Sequence, residues 1–413
     1  MKKLLVMAVA AFMAVSCADN KIDAPARPVS DAVAFEASTL RSTRATLTNA
    51  NVTAFQVYAA LNDESLYMDN VRVKREEKDG ATIWTYNPLV YWPNEGFLNF
   101  YAAATRGGSE NETTTFYYDE TTCQEFYVNH ISGDIKSNNL VKGSRDVTYA
   151  VNMNETKKSS AVQMFFRHAG AQIVFQFAHR NPKFEDIQVY VEDIYVVNLT
   201  TSGRYILPRE TTTKDNTSAL GRWDLEVMVD KLAQQGFDVV NAYDVDIVPQ
   251  EVPYDTEAVV AYDKVMKKST YTSESGEVHE DDGHLNIIPQ NVVAWDKTNE
   301  GSKTQMYLLV KVNYTQKSNG YCLWPEGAAS TTETEWVSVP LTAPTAWEQG
   351  KRYTYTLNFP GGLTPPVGPE DGPTPPDPDP TPDTEPEPVL QPITFDLVVD
   401  EWTEVPAIEN NEF

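Results

Sequence analysis

Cysteine, histidine and positive charge are all scarce in this chain. Three cysteines among 413 residues exclude a disulfide-built scaffold, and five scattered histidines leave little from which to assemble a metal or general-base centre. Thirty-three Lys and Arg against 59 Asp and Glu give a net charge of −26, which argues against nucleic acid or an anionic lipid surface as a partner. The glycine patterns of a phosphate loop or a dinucleotide fold are missing, as are a nucleophile elbow and a zinc-protease helix motif. With no motif to organise them, no catalytic residue, metal or cofactor is expected, and the chain does not read as an enzyme. No apolar run reaches the ~20 residues that span a bilayer.

What is present begins at the first residues. Lys2-Lys3 precede an unbroken apolar run from Leu4 to Val15, followed by Ser16-Cys17. A basic flank, a short apolar core and small residues at the exit describe a secretory signal peptide over 1–16. Cys17 directly behind Ala14-Val15-Ser16 fits lipidation after cleavage, with a membrane attachment made only through the acyl chains. The alternative is an ordinary secretion signal with a chance cysteine. Either way the chain leaves the cytoplasm. Cys123 and Cys322 are able to pair in an oxidising compartment or to stand as lone thiols, and sequence does not choose between these.

Removing residues 1–16 leaves about 397, enough for two or three domains. From Cys17 to about Arg44 the chain is small and polar, interrupted by Pro25 and Pro28, and reads as a tether with one apolar patch, Val33-Ala34-Phe35, that fits a first strand. Beyond it come short runs rich in Val, Ile, Phe, Tyr and Thr, divided by Asn, Asp and Gly. Phe55, Val57 and Ala59 recur at period two. So do Ile187, Val189 and Val191; Met306, Leu308, Val310, Val312 and Tyr314; and Tyr353, Tyr355, Leu357 and Phe359. Such alternation predicts antiparallel strands with one face on a core and one in water. Helical spacing is rare; Leu225, Met228, Val229 and Leu232, with Asp224 to cap and Gly236 to stop, predict one short helix. The fold class is all-β, as sandwiches. A boundary near 160, where a polar run gives way to Val162–Phe177, divides an N-terminal unit (45–160) from a C-terminal one (161–359).

Residues 360–392 hold 13 of the 26 prolines and seven acidic residues, with no Lys or Arg. Fixed φ angles and like charge predict an extended polyproline II spacer, about 75 Å across its central 25 residues. Alternation then resumes at Ile393, Phe395, Leu397 and Val399, with Trp402 behind, inside a terminal segment 393–413. A strand this amphipathic needs a sheet edge, its own or a neighbour's.

Several pieces, taken in order, resemble the fimbrillin family that builds the type V pili of Bacteroidia. They are the lipoprotein start at Cys17, Arg41-Ser-Thr-Arg44-Ala-Thr, Trp84-Thr-Tyr with Tyr91-Trp92-Pro93, Phe165-Phe-Arg-His168-Ala-Gly-Ala-Gln-Ile173, Trp347-Glu-Gln-Gly350-Lys-Arg-Tyr353-Thr-Tyr355, and Ile393-Thr-Phe395-Asp-Leu-Val-Val-Asp-Glu-Trp402. The resemblance implies two tandem transthyretin-like sandwiches, secretion as a lipoprotein through the lipoprotein export machinery, and removal of an N-terminal segment by an Arg-specific protease. That removal uncovers a groove which a strand from another subunit fills, by β-augmentation. Carried onto this chain it implies cleavage after Arg44, or else Arg41, so that 17–44 is tether and propeptide. The proline-rich spacer departs from the family pattern and leaves open whether 393–402 closes its own unit, is donated, or projects.

The remaining constellations have bland alternatives. His279-Glu-Asp-Asp-Gly-His284 is either a metal cluster or a solvated acidic loop. His168 is either a hydrogen-bonded structural residue or a base. Trp84, Trp92 and Trp324 either stack on sugars or sit in cores and interfaces. The expected function is a structural and adhesive pilus subunit at the outer membrane and cell surface, with other subunits as partners and host or bacterial surface ligands as further candidates. The alternative is a monomeric surface lipoprotein that binds glycans or host proteins.

Overall fold

A computed structural model of the chain describes residues 32–39, 54–62, 65–78, 81–105, 115–118, 126–131, 147–158, 160–200, 202–213, 215–216, 218–225, 242–268, 270–272, 278–280, 283–293, 305–326, 328–341, 344–359 and 394–401. Nearly all regular structure among them is strand. Helix is confined to α1 (Tyr262–Val265) and a 3-10 turn at Pro182–Phe184, and no helix among the described residues is long and apolar enough to cross a membrane.

The strands run β1 (Phe35–Thr39), β2 (Ala54–Leu61), β3 (Ser65–Lys78), β4 (Ala81–Thr85), β5 (Leu98–Thr105), β6 (Thr115–Tyr118) and β7 (Phe126–Ile131). Then come β8 (Val147–Glu155), β9 (Val162–His168), β10 (Ala171–His179), β11 (Ile187–Val197), β12 (Ser202–Ile206), β13 (Arg222–Asp224), β14 (Ala242–Asp244) and β15 (Gln250–Val252). The rest are β16 (Thr270–Thr272), β17 (Val278–Glu280), β18 (Leu285–Ile287), β19 (Gln290–Asn291), β20 (Tyr307–Gln316), β21 (Cys322–Trp324), β22 (Glu335–Pro340), β23 (Ala346–Trp347), β24 (Lys351–Phe359) and β25 (Thr394–Glu401).

The first half of the chain centres on one seven-stranded sheet in the order β1-β9-β8-β5-β2-β3-β4. Its middle strands are apolar on both faces. Phe55, Val57 and Ala59 face one core with Phe100 and Ala102, while Tyr58 and Ala60 face a second with Tyr101 and Ala103. The period-two reading of 54–60 therefore finds the right core residues, but the opposite face is covered too. What covers it is a return of the chain from much later: Tyr205, Leu207 and Trp223 pack there against Tyr149. Thr212 locks this return, donating its amide to Val151 O at 2.8 Å and its hydroxyl to Phe165 O at 2.8 Å.

β9 belongs to this sheet, so the change of sheet comes at Ala169-Gly170 and not at 160. β10 starts immediately afterwards, in the order β18-β10-β24-β25. A second sheet, β14-β11-β20-β21 with β15 on β11 and β22 on β20, faces it across a core of Phe175, Phe177, Val189, Val310, Tyr355 and Trp347, among others. Gln349 ties the change-over to both halves: its amide donates to His168 O at 2.8 Å and to Tyr149 Oη at 3.1 Å, and its carbonyl accepts from Tyr205 at 3.0 Å.

The alternation read over 306–314 and 353–359 holds, with all nine apolar residues in the core. Its outer face is less wet than expected. Asn313 and Thr315 are buried, and the Asn313 amide donates to Glu333 O at 2.7 Å and to Cys322 Sγ at 3.1 Å beneath the loop that follows β21. Cys322 is a buried free thiol; Cys123 lies outside the described residues. The expected helix from Asp224 meets a strand at its first residue, β13, where Asp224 pairs with Arg204 at 3.1 Å; residues 226–241 lie outside the described set.

In β11 a bulge between Val191 and Asp193 shifts the parity, so Ile187, Val189 and Val191 are followed inward by Ile194 and Val196. The shift leaves Asp193 half-buried. Burial, and then the charge of Asp244, raises its carboxyl from 3.8 to about 6. The folded state therefore holds a proton that the unfolded state has released, so this contribution is fully present below pH 3.8 and is lost as pH rises through 6. Asp193→Asn is expected to raise stability at pH 7 by about 1 kcal/mol, discounted for partial exposure, and to change nothing at pH 3.5. Urea unfolding at the two pH values checks this; equal midpoints at pH 7 contradict it.

Candidate functional site: a seam closed by the first strand

β1 is only five residues long, yet it is held by side chains and backbone together. Val33 and Phe35 alternate onto the core face and are 1% and 2% exposed. Phe35 stands edge-on to the rings of Phe55, Tyr86 and Phe100, with centroids 6.1, 5.6 and 5.6 Å away. Burying these two side chains contributes roughly 3–6 kcal/mol.

The backbone of this segment is bonded on both sides. On one side it runs parallel to β9, from Phe35 opposite Val162 to Thr39 opposite Phe166, and Val162 N donates to Ala34 O at 2.7 Å. On the other, Val33 N donates to Val90 O at 2.9 Å, Ala32 bridges Tyr91 in antiparallel sense, and the Tyr86 hydroxyl donates to Val33 O at 2.7 Å. Residues 86–91 follow β4, the strand at the far end of the same sheet. The first strand thus joins the two ends of the sheet. Without it, two strips of unpaired backbone would flank an open aromatic floor.

At the other end of the chain β25 pairs antiparallel with β24 over eight residues, from Asn358 opposite Thr394 to Lys351 opposite Glu401. This register sets Phe395, Leu397 and Val399 opposite Leu357, Tyr355 and Tyr353, all three of which are buried. β25 is the outermost strand of that sheet.

The first and last strands share a sequence pattern. Pro28-Val29, Val33, Phe35, Glu36 and Ala37 recur 360 positions later as Pro388-Val389, Ile393, Phe395, Asp396 and Leu397. Three residues are identical, and the others keep charge sign or apolar character. The signal was available from sequence, but only by setting two distant segments side by side. On the core-facing positions the later copy is the larger: Ile for Val, Leu for Ala, and Val399 for Thr39.

Of the residues singled out from sequence, Cys17, Arg41, Arg44, Ile393 and Trp402 lie outside the described residues, as does the spacer 360–392; for Phe395, Leu397 and Val399 backbone register is described. Trp84 and Trp92 are not exposed platforms for sugars but core residues, Trp92 packing edge-on to Phe100 at 5.9 Å, and Trp324 is partly buried against the second core. Their large apolar area is better satisfied inside. His168 is buried in the β9 strand end; His279 lies in β17 opposite Tyr271, His284 precedes β18, and residues 281–282 between them lie outside the described set.

The sequence model of a family described as fimbrillin-like matches residues 43–370, which leaves out both β1 and β25. No curated protein matches the chain. Among solved structures, a fimbrial protein from Bacteroides vulgatus is 14% identical, covering 90% of this chain and 99% of its own, with a TM-score of 0.49. A fimbrilin from Porphyromonas gingivalis is 13% identical over 91% of this chain and 97% of its own, TM-score 0.36. The tip fimbrial protein Mfa3 of the same organism, with a C-terminal truncation, is 9% identical over 88% and 99%, TM-score 0.33.

Proposed function

The chain belongs to the fimbrillin-like family, and on that premise we propose that it is a cell-surface fimbrial subunit that polymerises by exchanging its last strand for a neighbour's first. In this reading the chain is exported as a lipoprotein through Cys17 and cut by an Arg-specific protease after Arg44 or Arg41. Release of 17–44 removes β1 and opens the seam. Residues 393–399 of another copy then fill it, parallel to β9, with Phe395 in the place of Phe35.

The observation that carries this reading is the repeated pattern: a strand that plugs the seam, and a second strand of the same design at the end of a long spacer. The physical logic is that main-chain bonds supply strength while alternate side chains set register. Until cleavage, β1 keeps the sheet ends from pairing with other chains during export. The spacer is long enough to let β25 leave β24 and reach a neighbouring seam, at about 3.1 Å per residue. A larger incoming side chain at three core-facing positions favours the donated strand over the original one. The glycan-binding alternative loses its main support, since Trp84 and Trp92 are core residues.

The test is direct. Purified full chain treated with an Arg-specific endoprotease is expected to form filaments visible by electron microscopy, with an N-terminus at Ala45 or Ser42. A chain that is cut there and stays monomeric contradicts the proposal.

A further inference from the structure

Large apolar side chains are rarely left in water without a reason when they sit beside an interface. Leu89 and Tyr91 are 54% and 55% exposed, and they stand on the strip 86–91 that pairs with the start of the first strand. Their backbone is fixed: Tyr67 donates its hydroxyl to Tyr91 O at 2.7 Å, and Val90 O accepts from Val33 N at 2.9 Å. Val90 turns inward against the core, so its two neighbours turn outward.

The antiparallel bridge sets Ala32 opposite Tyr91, and the same register brings Ala34 opposite Leu89. Residues directly opposite share a face and touch. The two outward positions of the resident strand are therefore alanines, too small to cover a leucine and a tyrosine. In the repeated pattern the matching positions are Pro392 and Thr394.

We infer that Leu89 and Tyr91 form a lip selective for the incoming strand of a second copy, with Tyr91 taking Pro392 and Leu89 taking the methyl of Thr394. This rests on the exchange reading above and adds the residues that discriminate between the resident and the donated strand. A proline ring on a tyrosine and a threonine methyl on a leucine bury apolar surface that two alanines leave wet. The lip thus contributes nothing extra to holding β1 and adds affinity for its replacement, which biases the exchange forward.

The experiment uses the full chain after Arg-specific cleavage and a labelled peptide of residues 388–402. A second peptide carries P392A and T394A, which restores the two alanines of the first strand. The intact protein is expected to bind the altered peptide about tenfold more weakly, two cross-strand pairs together being worth about 1.4 kcal/mol. In L89S/Y91S, where both changes are at exposed positions and thermal unfolding is expected to be unchanged, the two peptides are expected to bind alike. Equal binding of the two peptides by the intact protein overturns the inference, and so does a tenfold preference that survives in L89S/Y91S. Failure of the cleaved protein to capture either peptide overturns the exchange reading itself, and the lip with it.

Discussion

Phe395→Ala is expected to reduce polymer yield at least a hundredfold while leaving the cleaved chain folded. In the exchanged assembly Phe395 takes the site where Phe35 now meets the rings of Phe55, Tyr86 and Phe100. Truncating a buried phenylalanine costs about 3–5 kcal/mol, because the transfer energy is lost and the surrounding rings cannot collapse onto the space. Each 1.4 kcal/mol is a factor of ten, so the exchange equilibrium falls by two to three decades. Far-UV circular dichroism and size-exclusion chromatography on the cleaved chain separate this outcome from misfolding. Normal filaments from Phe395→Ala would mean that some other strand fills the seam.

Phe35→Ala acts on the opposite partner. The same loss of about 3–5 kcal/mol now weakens the resident strand, and because β1 sits near the start of the chain the effect is local opening. The reporter is the amide of Val162, which donates to Ala34 O across the β1–β9 ladder. Its hydrogen-exchange protection is expected to fall by about two decades or more, while amides in the ladder between β11 and β20 keep theirs. Cleaved Phe35→Ala should also assemble faster than the parent chain, since the outgoing strand leaves more readily. Unchanged protection at Val162 would show that β1 is held by something other than its aromatic anchor.

Much of this architecture could be read from the residues. Alternation over 306–314 and 353–359 reports the second core because one face of each strand is uniformly apolar, and Val33-Ala34-Phe35 stands out as a lone apolar patch in a polar tether. The misplaced boundary has a physical cause. Residues 162–177 form one continuous apolar block, and the two small residues Ala169-Gly170 that divide it between sheets carry no turn signature strong enough to mark the crossing. The return of residues 202–225 over the first sheet is a long-range pairing, which local pattern does not encode. The bulge at Val191–Asp193 is likewise invisible, since a parity shift becomes apparent only against the partner strand β20. Asn313 and Thr315 read as solvent-facing because their polar groups find partners in a covering loop.

For the seam, the apolar alternation of the two strands is legible separately, but their relation is not. Parallel pairing of β1 with β9 across more than a hundred residues leaves no mark in either segment. Neither does the closure of the sheet through Val90 and Tyr91. Once that geometry is known, the spacing of Val33, Phe35 and Ala37 becomes a template against which Ile393, Phe395 and Leu397 can be matched.

The central claim, that the last strand of one copy takes the place of the first strand in another, is tested most directly by paired cysteines. Glu36 lies opposite Gln163, and Asp396 is its counterpart in the repeated pattern; within one copy Asp396 lies opposite Thr356. Cleaved and assembled Q163C/D396C chain is expected to give a ladder of disulfide-linked multimers on a non-reducing gel, because neighbouring strands bring Cα atoms within the ~4.4–6.8 Å that a disulfide spans. Assembled T356C/D396C chain is expected to give no internal bridge. An internal 356–396 bridge in the assembled material, with no multimer ladder from Q163C/D396C, would show that β25 stays on its own sheet and would contradict strand exchange.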